Sequence, residues 1–333
     1  MLNVGVIGFG YWGPNIVRNF NTIKGTRVVC ICDRIQDMLD RAGHLYQGIM
    51  LTSDAEDVVF SQDVDVVAVI TPVFTHFDLA KRALENGKHV FVEKPFTATV
   101  AQAEELIAIA KEKDLKIMVD HTFLFTGTVR KIRELIKEKV LGDIYYFDSM
   151  RANLGLFQHD VNVIWDLAPH DFYIMDFLLD EKPVGITATG TAHFNALEDI
   201  AYITIYFADN TIAHFNMNWL SPVKVRSLLI GGSKKMVLWN DVHPAEKLKV
   251  YDKGVEINTV EGIYDLLVSY RSGDVWMPKI AEAEALKIEA EYFVACIKKN
   301  ETPINDGAAG LRVVKMLEAA GRSLEKKGEF VPL

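Results

Sequence analysis

Val4-Gly5-Val6-Ile7-Gly8-Phe9-Gly10-Tyr11-Trp12-Gly13 is the stretch that decides the fold of this chain. It runs from an apolar segment into a G-x-G-x-x-G turn, and a helical pattern follows. A second apolar run, residues 28–32, then ends at Asp33, twenty residues after Gly13. This arrangement predicts a strand, a turn, a helix and a second strand that together bind a dinucleotide.

Each part of this pattern has a physical role. Gly8 permits the tight turn, Gly10 lets the backbone approach a pyrophosphate, and Gly13 allows the helix to pack closely on the strand. The start of the helix offers N–H groups to the phosphates. We therefore expect cofactor contacts from the turn and from the end of the second strand, at Gly8, Phe9, Gly10, Tyr11, Trp12, Gly13, Asp33 and Arg34.

The choice between the two nicotinamide dinucleotides stays open at this point. Asp33 can accept hydrogen bonds from the ribose hydroxyls and disfavours a 2′-phosphate, which favours NAD. Arg34 beside it can stack over the adenine or accept a 2′-phosphate. We expect NAD, with NADP as the alternative.

Composition narrows the class of protein. A chain of 333 residues favours two domains, and the net charge of −9 argues against a nucleic-acid partner. No apolar run approaches the roughly 18 residues of a membrane helix, and we expect no secretory signal and no membrane association. The three cysteines form no metal-binding pattern, so we expect buried thiols in a reducing cytoplasm and no metal site.

The hydrophobic pattern divides the chain in two. Apolar runs alternate with helical patterns up to residue 121, which predicts an α/β Rossmann domain with a doubly wound parallel sheet over 1–121. Residues 122–333 read as an α+β domain that binds substrate and forms oligomers. We expect its open, mostly antiparallel sheet to be a meander over 184–251. The predicted strands of the first domain are 2–7, 27–32, 65–70, 89–92 and 116–119.

Two short segments of the first domain follow strands at the carboxyl edge, where doubly wound sheets bind ligands. Thr71-Pro72 follows one strand, with His76 on the next helical turn. Glu93-Lys94-Pro95 follows another, and its lysine would lie near the nicotinamide. Pro95 fixes the local backbone. We predict cofactor contacts from Thr71, Pro72, His76, Glu93 and Lys94.

The second domain supplies another candidate pair. Asp166 and His170 are four residues apart, so they share one face of a predicted helix. An aspartate can orient a histidine that acts as a general base. On its own, this spacing also fits an ordinary pair of side chains at the start of a helix. The candidate catalytic residues are Lys94, Asp166 and His170, and Arg151 and Asn162 are further candidate substrate contacts. Lys224 and Arg226 are either anion ligands or ordinary charges on a strand surface.

Together these motifs resemble the Gfo/Idh/MocA oxidoreductase family. The glycine-rich turn at 8–13, Thr71-Pro72 with His76, Glu93-Lys94-Pro95 and Asp166-x-x-x-His170 occur in the order and spacing of that family. The resemblance implies an NAD(P)-dependent dehydrogenase in which Lys94 and His170 flank the hydroxyl that is oxidised. Asp166 would orient His170, which is the expected proton acceptor, with Lys94 as the alternative.

The segments 157–165 and 219–226 are similar to those of a narrower branch, the nucleotide-sugar 3-dehydrogenases. This resemblance implies a UDP-linked amino sugar or its uronate as substrate, oxidised at C3 for surface polysaccharide. Alternatives are an NADPH-dependent ketoreductase of a keto-deoxysugar nucleotide, a dehydrogenase of a free sugar or inositol, and a non-catalytic dinucleotide sensor. Alternating apolar residues over 184–219 further predict a homodimer or homotetramer that pairs through the open sheet.

Overall fold

Two sheets organise the chain in the computed structural model, which describes residues 1–154, 157–257 and 268–333. Each sheet belongs to its own unit. The first unit contains Met1–Phe125 and Ala283–Lys315, and the second contains Thr126–Glu282 and Met316–Leu333. The sequence assigned everything after residue 121 to the second domain, so the position of residues 283–315 differs from that prediction.

The first unit contains a parallel sheet of six strands in the order β3-β2-β1-β4-β5-β6. Strands β2 and β3 lie on one side of β1, and β4, β5 and β6 follow on its other side. This is the doubly wound arrangement that the alternating pattern predicted. The sequence missed β3, a three-residue edge strand with little buried surface. The strands are β1 Leu2–Ile7, β2 Thr26–Cys32, β3 Met50–Thr52, β4 Val66–Val69, β5 His89–Glu93 and β6 Ile117–Asp120.

Helices connect these strands, and side chains mark where two of them begin. Asp54 accepts the N–H of Glu56 at the start of α3, and Thr99 accepts the N–H of Gln102 at the start of α5. The connecting helices are α1 Gly13–Thr22, α2 Gln36–Leu45, α3 Ala55–Val59, α4 His76–Glu85 and α5 Val100–Glu112.

A helix from the far end of the chain, α8 Ala285–Lys299, also belongs to the first unit. The ring of Phe293 lies 5.9 Å from that of Phe91, which in turn lies 5.7 Å from Phe20. All three rings are fully buried. Hydrophobic periodicity identifies the buried face of a helix but not the sheet that it covers, which is why the sequence assigned this segment to the other domain.

The second unit contains a sheet of nine strands in the order β14-β13-β12-β11-β7-β10-β9-β8-β15. Its neighbours are antiparallel except β10 and β7, so it is mostly antiparallel, as predicted. The strands are β7 Ile144–Ala152, β8 Pro183–Thr191, β9 Ile200–Phe207, β10 Ile212–Asn218, β11 Val225–Gly232, β12 Met236–Asn240, β13 Leu248–Ile257, β14 Val268–Trp276 and β15 Val331–Pro332. The second unit also contains the helices α6 Gly127–Lys137 and α7 Val163–Leu178, and α9 Gly307–Glu325 begins in the first unit and ends in the second.

The prediction of a continuous meander over 184–251 was wrong at one point. Strand β7 lies between β10 and β11 and pairs with both. Alternation identifies a strand and its buried face, but it does not identify the neighbouring strand. A strand from earlier in the chain can therefore separate two consecutive ones.

The two faces of this sheet differ in burial. On one face Phe172 of α7 packs on Phe215, with the rings 5.0 Å apart, and Phe147 lies 5.7 Å from Phe215. On the other face Tyr202 and Ile212 remain 46% and 41% exposed. Within the described ranges, no helix combines the length and the apolar character that crossing a bilayer requires.

Candidate active site

The glycine-rich turn between β1 and α1 leaves space for a ligand. A Cβ atom on Gly8 would lie 2.1 Å from the carbonyl oxygen of Ile70, and one on Gly13 would lie 2.6 Å from the carbonyl oxygen of Gly8. These two glycines are therefore required by the protein itself. A Cβ on Gly10 would meet no protein atom within 4 Å. Open space at an exposed glycine before a helix start fits a backbone that approaches a pyrophosphate.

Asp33 holds this turn in place. Its Oδ2 accepts the N–H of Phe9 at 2.7 Å, and its Oδ1 accepts the N–H of Ile35 at 2.9 Å. The Phe9 ring is fully buried, so Phe9 can face a cofactor only through its backbone. Tyr11 and Trp12 are 82% and 46% exposed, so their side chains stand at the surface of the turn. Arg34 is also exposed.

His76 joins the two other loops at this edge. Its Nδ1 lies 2.8 Å from the carbonyl oxygen of Pro95, and its Nε2 lies 2.7 Å from that of Thr71. The Thr71 hydroxyl also lies 2.6 Å from that of Thr75. Burial lowers the pKa of His76, while the hydrogen bonds to the two carbonyl oxygens act in the opposite direction, and the ring connects the loops that follow β4 and β5.

Lys94 immediately follows β5 and is partly buried. The peptide bond from Lys94 to Pro95 is cis. Glu93 accepts the backbone N–H of Lys94, and burial raises the pKa of this carboxyl well above its ordinary value, with the nearby charge of Asp120 as the second cause. The first unit therefore brings Gly10, Asp33 and Lys94 to the carboxyl edge of one sheet, as the sequence predicted.

The second unit presents its candidates at the start of α7. Asn162 is the N-cap, and its Oδ1 accepts the N–H of Trp165 at 3.2 Å. Its amide nitrogen donates to Glu198 at 2.8 Å. Asn162 therefore has a clear structural role in starting the helix, and a contact with substrate stays a prediction.

Asp166 and His170 lie on the first turns of α7 and are both partly buried. The Asp166 Oδ2 accepts a hydrogen bond from the indole nitrogen of Trp219 at 3.1 Å. The backbone N–H of Trp219 donates to the carbonyl oxygen of Asp199 at 2.9 Å. This anchoring of Asp166 was not predicted, because Trp219 is 53 residues away and only the fold brings it close.

Arg151 forms a buried ion pair within the second unit. Its guanidinium binds Asp171 through two hydrogen bonds of 2.7 and 3.0 Å, and both side chains are 7% exposed. Arg226, the register partner of Arg151 on β11, lies 3.4 Å from Asp241. Lys224 is exposed. A substrate contact from Arg151 stays a prediction, and the buried ion pair gives this arginine a role of its own.

Lys94 and His170 belong to different units, and the contacts described above are each within one unit. The described residues contain no group of three His, Cys, Asp or Glu side chains arranged to hold a metal ion. The three cysteines are buried thiols, and burial raises the pKa of Cys30 to about 11 and that of Cys32 to about 12.

Comparison with known proteins identifies both units. Residues 2–121 match the oxidoreductase family with an NAD-binding Rossmann fold, and residues 129–238 match the GFO/IDH/MocA C-terminal domain. Among curated relatives, UDP-N-acetylglucosamine 3-dehydrogenase of Acidithiobacillus ferrooxidans is 25% identical over 94% of both chains. Inositol 2-dehydrogenase of Rhizobium meliloti is 23% identical over 98% of both chains.

Solved structures share the fold over nearly the whole chain. The Acidithiobacillus ferrooxidans enzyme superposes with a TM-score of 0.80 at 21% identity, covering 98% of both chains. Levoglucosan dehydrogenase in complex with NADH and levoglucosan gives 0.83 at 20% identity, covering 99% of both chains.

The family match and the open space at Gly10 both indicate a dinucleotide cofactor. The first unit has the NAD-binding fold, and its residues fit a dinucleotide at the turn that Asp33 holds. An NAD-binding fold is therefore confirmed, as the sequence predicted, and the choice of NAD over NADP stays a prediction. This chain is a member of the Gfo/Idh/MocA family, an NAD(P)-dependent oxidoreductase.

Proposed function

We propose that this enzyme exchanges hydride between NAD and a secondary alcohol of a sugar, most specifically C3 of a UDP-linked amino sugar or its uronate. The observation that carries the reaction type is the position of Lys94, a cation at the carboxyl end of β5 on the cofactor-binding edge. The full-length similarity to a UDP-N-acetylglucosamine 3-dehydrogenase supports the substrate class.

Lys94, His170 and Asp166 have separate roles in the proposed reaction. A bound nicotinamide would supply the hydride acceptor, its C4 atom. Lys94 donates a hydrogen bond to the hydroxyl oxygen and stabilises its negative charge while the carbonyl forms. His170 accepts the hydroxyl proton, and Asp166 orients the imidazole.

Contacts within each unit support these roles. His76 connects the Lys94-Pro95 segment to the loop that follows β4, which limits the movement of the lysine backbone. In the second unit Trp219 fixes one oxygen of Asp166. Both groups are thus held before substrate arrives, which is the requirement for electrostatic stabilisation of a transition state.

A substrate panel tests the proposal. The purified protein is mixed with NAD and, in separate reactions, UDP-N-acetylglucosamine, its uronate, free N-acetylglucosamine and myo-inositol, and NADH formation is followed by absorbance. We expect reduction with a UDP-sugar, and its loss in Lys94→Ala but not in Lys111→Ala, an exposed lysine of the same unit. Reduction with inositol or the free sugar alone would reject the nucleotide-sugar assignment. Full turnover by Lys94→Ala would reject the role of the lysine.

The exposed face of the nine-stranded sheet supports a second element of the proposal, a cytoplasmic homo-oligomer. Tyr202, Ile212 and Leu229 stand on this sheet with 46%, 41% and 37% of their surface exposed. A face of this kind is a favourable surface for pairing with a second copy. Light scattering at micromolar concentration tests it, and a strictly monomeric mass would reject it.

A further inference from the structure

Three carboxyl groups meet inside the first unit, directly behind Lys94. Glu93 ends β5, Asp120 ends β6, and the two are register partners on neighbouring strands. Glu289 reaches the same place from α8 and is fully buried, while Asp120 is 5% exposed. Asp120 is within hydrogen-bond reach of both glutamates. We call these three residues the carboxyl cluster.

In the part of the chain that the structure describes, hydrogen-bond donors reach some oxygens of the carboxyl cluster and not others. Asp120 accepts the hydroxyl of Thr122, which is also a hydrogen-bond partner of Glu289 and lowers the pKa of that carboxyl. The Oε1 of Glu289 accepts the N–H of His121 at 3.1 Å and the amide nitrogen of Asn305 at 2.8 Å. Within the described ranges, no donor reaches the buried Oε2 of Glu289. An ionised buried oxygen with no donor is costly, whereas a protonated one becomes a donor itself.

The charged groups nearby do not neutralise three carboxylates either. The charge of Lys94 lowers the pKa of Glu93, and the charges of Lys94 and Arg312 lower the pKa of His121. Burial lowers the pKa of His121 to about 3, so this ring stays neutral at physiological pH. The described part of the chain has no metal-binding group that would replace the missing positive charge.

We propose that the carboxyl cluster holds two protons and one negative charge, with Glu93 and Glu289 each donating a hydrogen bond to Asp120. In this arrangement every contact between two carboxyls carries a proton, and the Thr122 hydroxyl supports the remaining charge. Burial raises the pKa of both glutamates, which also favours their protonated forms.

This arrangement makes Asp120 a positioning residue for Lys94. Asp120 accepts from Glu93, and Glu93 in turn accepts the backbone N–H of Lys94. The chain of hydrogen bonds from Asp120 through Glu93 therefore fixes the loop of the lysine. This second step rests on the proposed function of Lys94, but the distribution of protons does not.

Infrared spectroscopy of the full-length protein tests the protons directly. A protonated carboxyl has its own C=O stretch, separate from that of a carboxylate. We expect this absorption in the wild type at neutral pH and expect Glu289→Gln to remove about half of it, because one of two neutral acids is lost. Glu291→Gln, an exposed glutamate on the same helix, should leave it unchanged. No absorption in the wild type, or none lost in Glu289→Gln, would overturn the proposal.

Activity tests the positioning role separately. Glutamine at 289 can still accept from His121 and Asn305 and donate to Asp120, so Glu289→Gln should keep its turnover. Asp120→Asn removes the charge, and we expect kcat to fall about tenfold with little change in KM. Thr122→Val provides a second variant if Asp120→Asn does not fold, with a smaller loss in the same direction. Unchanged kcat in a folded Asp120→Asn protein would overturn the positioning role, while the infrared result is independent of any turnover.

Discussion

The two units hold their candidate residues in different ways. At the edge of the six-stranded sheet, Asp33, Lys94 and Asp120 each stand at or just after the last residue of a parallel strand, so strand register brings them together. At the start of α7, Asp166 and Asn162 are held by Trp219 and Glu198, which are distant in sequence. The first kind of site is built by the backbone, and the second by side-chain contacts.

This difference has a consequence for mutation. A site built by strand register should keep its backbone positions when one side chain is removed, so that only the hydrogen bonds of that side chain are lost. A site built by side-chain contacts should also lose the positions of the neighbouring side chains.

The largest effect is expected at His170. We expect His170→Ala to lower kcat by about 10²–10⁴-fold, because it removes the general base. Trp219→Phe should lower kcat by about tenfold, because it removes only the hydrogen bond to Asp166. Steady-state kinetics with the UDP-sugar found in the substrate panel measures both. His214→Ala, an exposed histidine on β10, is the control and should keep its turnover. A Trp219→Phe enzyme with unchanged kcat would mean that the side-chain contact does not position Asp166.

An intermediate effect is expected at Asp33. Asp33→Ala removes the bonds to the N–H groups of Phe9 and Ile35 and the acceptor for the ribose, so NAD affinity should fall by about 1.5–3 kcal/mol. NADP should lose less, because repulsion of its 2′-phosphate disappears. Fluorescence titration with NADH and NADPH measures both affinities. Asp37→Ala, exposed on the first turn of α2, should change neither. Tighter binding of NADPH than of NADH by the wild type would contradict the role given to Asp33 and favour the ketoreductase alternative.

The same contrast explains what the sequence could predict. Apolar runs that end in Asp33, Thr71 and Lys94 placed these residues at one edge of a sheet, because parallel strands align their carboxyl ends. The fold class and the cofactor followed from this pattern, and the structure and the family match confirm both. The roles of Lys94, Asp166 and His170 remain predictions.

Other features depend on contacts that no local pattern encodes. Nothing around Glu289 in the sequence indicates that it lies beside His121, 168 residues away. The spacing of Asp166 and His170 predicted a shared helix face, but not the indole that holds Asp166. The insertion of β7 between β10 and β11 likewise depends on strand pairing, which alternation leaves open.

The last effect is on the pH dependence of the free energy of unfolding, and the sign of this dependence differs between the units. Burial raises the pKa of Glu93 and Glu289 above the ordinary value of 4.5. The folded state therefore keeps protons that the unfolded state releases. Their contribution is fully present below pH 4.5 and is lost as the pH rises toward the folded pKa values. In the second unit, a hydrogen bond from Lys249 lowers the pKa of the exposed Glu246, so that contribution is lost as the pH falls.

We therefore expect Glu289→Gln to become more stable relative to the wild type as the pH rises. Above pH 4.5 and below the folded pKa of Glu289, the difference in the free energy of unfolding should grow by at most about 1.4 kcal/mol per pH unit, because one proton fewer is released on unfolding. Glu246→Gln should show no such gain over this range, since exposed ion pairs contribute little and this one is already ionised. Chemical denaturation followed by circular dichroism at each pH gives both curves. A constant difference between Glu289→Gln and the wild type would mean that Glu289 is ionised in the folded protein, and that the buried edge of the first unit carries more negative charge than its contacts can stabilise.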